Sequence, residues 1–312
     1  LGQRASVTGN VAGTTSLGGA GVQTTIVGFV DLLRARTRVF QLGARFMPGL
    51  TDTIAFVRQL TANTFSFPGE NPSTEMSLTA ATIEQFTMSP KIGMAGTSYS
   101  RRMLAQGNAS FDVNSFVMND LNAIIAIGID YNAVSGPGTN APTGIRGTTN
   151  VQNKTLGAAG AALAWADLVA IETLIGTANA DIGTIGTLTN PNVKGKLKTT
   201  LKNTTAGSAY LWESGPNFNG QMADTLNGYN AQVSTSIPNN LTKGTSTTVC
   251  SALVFGVWDQ CVVGEWGGAA ELLVNPYTYS KQNVIEVTAT LGIDVGVLQP
   301  TAFVKIEDIL TA

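Results

Sequence analysis

From Asn283 onward the chain reads NVIEVTATLGIDVGVLQ, with Ile285, Val287, Ala289, Leu291, Ile293, Val295 and Val297 alternating against mostly polar or small residues. A period of two predicts a long strand with one face on a core. A helical period appears earlier. Ser110 can cap a helix through FDVNSFVMNDLNAIIAIGIDYNAV, where Val113, Phe116, Val117, Leu121, Ile124 and Tyr131 fall near one stripe. About 24 residues at about 1.5 Å each would extend this helix about 36 Å.

Residues 53–67 and 82–99 are rich in β-branched and aromatic residues with partial alternation, and PGENPSTEMS between them is turn-rich. The pattern predicts a hairpin. An isolated two-stranded hairpin is marginal in water, so it is expected to need a partner surface.

The second half mixes the two periods. WADLVAIETLIG (165–176) and the segment NPNVKGKLKTTLKN, with Lys194, Lys196, Lys198 and Lys202, predict amphipathic helices. GYNAQVSTSIPNN predicts a strand ending in a turn, and SALVFGVWDQCVVGEWGGAAELLVN predicts strands broken at Trp266-Gly-Gly. The fold class expected is α+β.

At the other end, residues 1–28 carry Arg4 as their one charge and few large apolar residues, which predicts an extended or disordered arm. Residues 29–46 predict a short helix giving way to a strand. Its arginines, Arg34, Arg36, Arg38 and Arg45, read as a solvated or salt-bridged face rather than a nucleic-acid patch.

Composition adds constraints of its own. Only 12% of the 312 residues are charged, while 43% are hydrophobic. Ordinary soluble domains carry about 25% charged residues, so this surface is expected to be covered by neighbouring subunits. A net charge of -2 supplies no basic excess for dedicated DNA binding. No apolar run approaches the roughly 20 residues a membrane helix needs. The chain starts at Leu1 without an initiator Met and without a signal-peptide pattern, which fits removal of an N-terminal segment and equally a cloning artefact.

The chemistry of catalysis is thin. The chain has no histidine, which removes Ser-His-Asp and Cys-His mechanisms and imidazole metal sites. Glu70 and Glu75 sit on the hairpin tip and Glu265 and Glu271 near a turn, a scatter expected of solvated carboxylates. Cys250 and Cys261 form no metal or redox motif and are expected to be buried free thiols. No catalytic residue, cofactor or metal is predicted.

One glycine-rich loop invites a phosphate-binding reading: DYNAVSGPGTNAPTGIRG, residues 130–147. An anion cradle, however, precedes its helix, and this loop follows one. It also lacks a Gly-Lys-Ser/Thr ending and G-x-G-x-x-G spacing. Gly136, Gly138, Pro142 and Gly144 are read as a structural hinge that stops and turns the chain.

The order of these features resembles the major capsid proteins of tailed bacteriophages, the Hong Kong 97 type fold. The resemblance places an N-terminal arm at 1–28, a helix and strand leading to the E-loop at 29–52, and the E-loop hairpin at 53–88. It places a peripheral domain at 89–154 and 284–312, with its spine helix at about 110–134, and an axial domain at 155–283. Gly136, Gly138, Pro142, Gly144 and Ile145 match the loop after the spine helix in that family. The implied function is a structural, non-enzymatic subunit that self-assembles through pentamers and hexamers into an icosahedral or prolate shell around double-stranded DNA. Decoration or cement protein, portal and scaffold are implied partners, and the implied location is the virion, with assembly in the host bacterial cytoplasm. Arg34, Arg36, Arg38, Arg58, Glu70 and Glu75 are the candidate inter-subunit residues. Some family members join subunits through a Lys-Asn bond from the E-loop; residues 46–90 hold no lysine, so this link is not expected, although Asn283 lies near the partner region. An encapsulin-like nanocompartment is the alternative within the fold, and a surface-displayed adhesion domain the alternative outside it.

Overall fold

A computed structural model describes residues 37–65, 67, 70, 79–106, 113–203, 207–216 and 222–311. The strands are β1 (Arg45–Leu50), β2 (Ile54–Thr61), β3 (Thr82–Met88), β4 (Lys91–Ser100), β5 (Gln152–Asn153), β6 (Ile185–Thr189) and β7 (Trp212–Pro216). They continue with β8 (Met222–Leu226), β9 (Tyr229–Val233), β10 (Leu241–Lys243), β11 (Ser246–Val257), β12 (Cys261–Asn275), β13 (Val284–Val297) and β14 (Phe303–Leu310). The helices are α1 (Arg101–Gln106), α2 (Val113–Ser135), α3 (Trp165–Thr177) and α4 (Pro191–Leu197). The architecture is α+β.

Three sheets form among the described residues. One has four strands in the order β1-β12-β13-β4; a second has eight, running β5-β14-β11-β6-β9-β8-β7 with β10 beside β11; β2 and β3 form the third alone. The main core lies around the eight-stranded sheet. Cys250 to Val257 are buried without interruption in β11, because β14 and β6 flank it and side chains cover both its faces. Trp258 is fully buried there, stacks edge-to-face on Phe303 at 5.7 Å and donates its indole N–H to the Gly186 carbonyl at 3.0 Å. Helix α4 begins where Asn190 accepts the Val193 amide at 3.0 Å, with Pro191 supplying a preset first turn.

Helix α2 matches the predicted long helix from its first described residue, but its buried stripe differs. Val117 and Leu121 pack on Val287 and Ala289 of β13, whereas Ile124 and Tyr131 are about half exposed. Toward its C-terminal end the buried face rotates to Asp130, Ala133 and Val134, because the helix there leaves the four-stranded sheet and meets the main core.

Several expectations are corrected. The strand expected over 82–99 is two strands, split at Ser89-Pro90, where proline has no N–H to give a ladder and Asp294 takes the Ser89 amide. The break in the second half lies at Trp258–Gln260. Trp266-Gly-Gly is a register shift inside β12, whose pairing with β13 resumes at Glu271 opposite Thr290. The alternation in β13 predicts one buried face and holds only in its first half; from Leu291 to Val297 every residue is buried. Sheet membership does not follow chain order: β12 pairs in the four-stranded sheet with β13, and β14, which follows β13, pairs with β11 in the eight-stranded sheet. The crossings follow from short 3-10 turns at Trp258–Gln260 and Pro300–Ala302, each of which passes the chain from one sheet to the other.

Candidate assembly surfaces

The hairpin β2–β3 has two unlike faces. Period-two alternation points Phe56 and Arg58 with Phe86 and Met88 toward the rest of the chain, and Val57 with Ile83 away from it. Val57 is 70% and Ile83 75% exposed, and nearer the tip Phe65 and Phe67 meet edge-to-face at 4.7 Å while remaining open. An exposed apolar band on a two-stranded projection is a surface for a partner.

The inner face is satisfied within the chain. Met88 is buried with Val262 and Trp266, and Phe56, Phe86, Met47, Leu50 and Leu298 pack around them. Arg58 holds the Glu84 carboxylate through two nitrogens at 2.8 and 2.9 Å and donates to the Leu298 carbonyl at 3.2 Å. Arg58 therefore fastens the hairpin to its own chain. Arg38 is engaged within the chain as well: its backbone amide donates to Asp130 at 2.8 Å, and its guanidinium to Gln41 at 2.7 Å and Gln232 at 3.1 Å. Glu70 is exposed. Arg34, Arg36 and Glu75 lie outside the described residues.

The loop after α2 is closed on itself. The Gly136 amide donates to Asn132, that of Gly138 to Pro142, and that of Gly144 to Gly136, at 3.1–3.2 Å. No glycine amide among these three is left to meet an anion. A β-carbon on Gly136 would lie 2.3 Å from the Pro142 carbonyl oxygen, and one on Gly144 2.5 Å from the Gly136 nitrogen. Only glycine fits either position. Gly138 has φ +79°, a left-handed conformation that glycine adopts without strain. Arg146, just beyond, pairs with Glu307 of β14 at 2.6 Å and donates to Ser135 at 3.2 Å, so the turn ties the helix end to the eight-stranded sheet.

Two residues that sequence reasoning passed over organise these surfaces. Asp130 is buried and accepts from the amides of Arg38 and Val39 and from Ser234. Asp294 is buried and accepts from the Ser89 amide at 3.0 Å, Lys91 at 3.1 Å and the Val295 amide at 2.9 Å. The signal was a lone carboxylate inside an apolar run, GID in both cases, since a buried charge survives only with donors around it.

Two concavities among the described residues are modest. A groove of about 180 Å³ runs between α2 and β4, lined by Met94, Ile124, Ile129 and Leu291 among others. A second, of about 420 Å³, lies beside α3, where Glu172 accepts from Tyr229 at 2.8 Å. The Glu172 hydrogen bond, then burial, pushes the Tyr229 hydroxyl above its ordinary pKa. Cys250 and Cys261 are free and buried, and burial pushes the Cys261 thiol up to about 12. Among the described residues no cluster of three or more acidic or cysteine side chains could hold a metal ion, and no helix is long and apolar enough to cross a membrane.

A family model described as the phage capsid family matches residues 18–308. The chain belongs to the phage capsid family. Membership marks residues 18–308 as capsid protein, a structural component. Over 279 residues this capsid protein is 26% identical to the major capsid protein of Halomonas phage phiHAP-1, covering 88% of the chain and 41% of that relative, so it spans about two fifths of the relative's length. Its fold is similar to the capsid of a native GTA particle, with TM-score 0.72 and 17% identity, covering 94% of this chain and 97% of the other. It is also similar to the holo-SrpI encapsulin of Synechococcus elongatus PCC 7942, with TM-score 0.64 and 10% identity over 93% and 94% of the two chains. Identities this low speak for the fold, which is the Hong Kong 97 type.

Proposed function

We propose that this capsid protein is the major, repeating subunit of a phage shell, assembling through pentamers and hexamers around double-stranded DNA. The four-stranded sheet with α2 is the peripheral unit, and the eight-stranded sheet with α3 and α4 is the axial unit that gathers around the symmetry axes. The turn at Gly136, Gly138, Pro142 and Gly144 is the joint between them. The observation that carries the reading is the projecting hairpin, satisfied on its inner face and apolar on its outer one, in a chain matched to the capsid family over nearly its whole length.

Function in such a protein is contact repeated by symmetry, and closure follows when the same patches meet around each axis. The outer band at Val57 and Ile83 is the part of the hairpin available to a second copy. A net charge of -2 suits a wall that surrounds DNA without gripping it, because numerous phosphate contacts would bind in a salt-dependent way. Portal, scaffold and decoration proteins are further partners under this reading, and the host cytoplasm is the place of assembly.

Sedimentation velocity with negative-stain imaging tests the proposal. Closed particles containing nucleic acid are expected. Closed particles lacking nucleic acid and holding protein cargo would favour the encapsulin-like reading, which the structural likeness keeps second. A chain that stays monomeric across salt and concentration would overturn both.

A further inference from the structure

The second half of β13 breaks its own alternation because Gly292, Asp294 and Gly296 are buried along with the opposite face. Asp294 and Gly296, together with Leu298 just past the end of the strand, stand at positions i, i+2 and i+4, and each meets the base of the hairpin. Asp294 accepts from the Ser89 amide at 3.0 Å and from Lys91 at 3.1 Å, gripping the leg by which the chain leaves β3 and enters β4. Gly296 lies directly beneath the hairpin: a β-carbon there would stand 2.6 Å from the Met88 sulfur and 2.8 Å from the Phe86 ring. Leu298 offers its carbonyl to Arg58 at 3.2 Å, and its side chain packs in the Met88 cluster. The opposite leg is held by β12, where the Trp266 indole donates to the Asp52 carbonyl at 2.8 Å.

We infer that Asp294, Gly296 and Leu298 form a seat that sets the direction in which the hairpin leaves its subunit, with Asp294 as its positioning residue. This rests on the proposed shell function, because the direction of the hairpin matters only if it reaches a neighbour. The physical argument is one of preorganisation. A two-stranded ribbon has no intrinsic reason to hold one angle to a four-stranded sheet. Here both legs are tied by buried polar groups and the ribbon rests on a glycine that lets it approach to van der Waals contact. Each copy then presents Val57 and Ile83 at one fixed angle before it meets another, so less ordering has to be done when copies join.

The test has two arms on the full chain. In the unassembled protein at low concentration, amide hydrogen exchange is followed in residues 54–61 and 82–91, with β11 as the internal reference. Asp294→Ala should speed exchange at the hairpin base at least tenfold while leaving β11 unchanged, and Lys91→Met should give a smaller effect of the same kind. Gly296→Ala, which lifts the ribbon while keeping Asp294, guards against a variant that merely fails to fold. In the second arm, particles assembled from the variants are sized by electron microscopy. Loss of a uniform diameter, or open sheets in place of closed particles, is expected from Asp294→Ala, with Asp294→Glu partly restoring uniformity.

Unchanged hairpin exchange in Asp294→Ala and Gly296→Ala overturns the seat. Faster exchange with particles of unchanged geometry overturns its positioning role, leaving a local structural contact. If the wild-type chain forms no particles at all, the shell function fails, and the exchange arm still decides whether the seat exists.

Discussion

Strand β11 and the hairpin β2–β3 use similar residues to opposite ends. β11 reads STTVCSALVFGV and is buried without a gap from Cys250 to Val257, with a strand on each side. The hairpin carries Ile54, Phe56, Val57, Leu60 and Ile83, yet among the described residues it has no third strand, and Val57 and Ile83 on its outer face are exposed. Hydrophobic content does not separate them; the number of surfaces the chain supplies to each does. β11 is completed by its own chain, and the hairpin is completed on one face only, so the difference marks where stability ends and assembly begins.

The contrast breaks most visibly at the sealed end. Trp258→Ala removes the largest fully buried side chain together with its hydrogen bond to Gly186 and its contact with Phe303. A loss of about 3–5 kcal/mol is expected in urea unfolding of the unassembled subunit. Gly144→Ala forces a β-carbon to within 2.5 Å of the Gly136 nitrogen. It should cost about 1–3 kcal/mol in the same assay, as overpacking does elsewhere.

The hairpin should respond the other way. Val57→Asp, on the open face, is expected to change subunit stability by no more than about 0.5 kcal/mol, while abolishing sedimenting particles. A Val57→Asp subunit that both unfolds early and still assembles would reverse the comparison.

The smallest effect is electrostatic. Burial alone would raise the Asp224 carboxyl, but hydrogen bonds from Lys194 and from Ser214, the latter at 2.6 Å, hold it below its ordinary value. A carboxylate depressed in the folded state contributes stability above its unfolded pKa, and this is lost as pH falls through the folded one. Subunit stability should therefore decline below about pH 4, and Asp224→Asn should flatten that part of the profile in thermal melts at successive pH values.

Much of this was legible in the sequence where a pattern is local. The long helix, the two strands of the hairpin, the glycine turn and the strand from Val284 follow from periodicity and the steric needs of glycine, while the turn-rich segment 68–77, apart from Glu70, and the cap expected at Ser110 lie outside the described residues. What could not be read is which sheet a strand joins. β12 and β14 have the composition of core strands in either sheet, and their membership is decided by the 3-10 crossings at Trp258 and Pro300, which leave little trace in the pattern. The same limit applies to side-chain partners. The register that sets Arg58 opposite Glu84 and within reach of the Leu298 carbonyl is not visible in sequence spacing. Asp130 and Asp294 were hidden for the same reason: their meaning lies in partners some 90 to 200 positions away in the chain, Val39 and Ser89, which sequence spacing does not connect.

A three-dimensional reconstruction of the native particle bears most directly on the claim that the hairpin is completed only by another copy. The account predicts a closed shell in which Val57 and Ile83 of each copy are buried against a second copy while the inner face stays on β13. A closed shell with those two side chains still facing solvent, or particles built with the hairpin folded onto its own subunit, would contradict it.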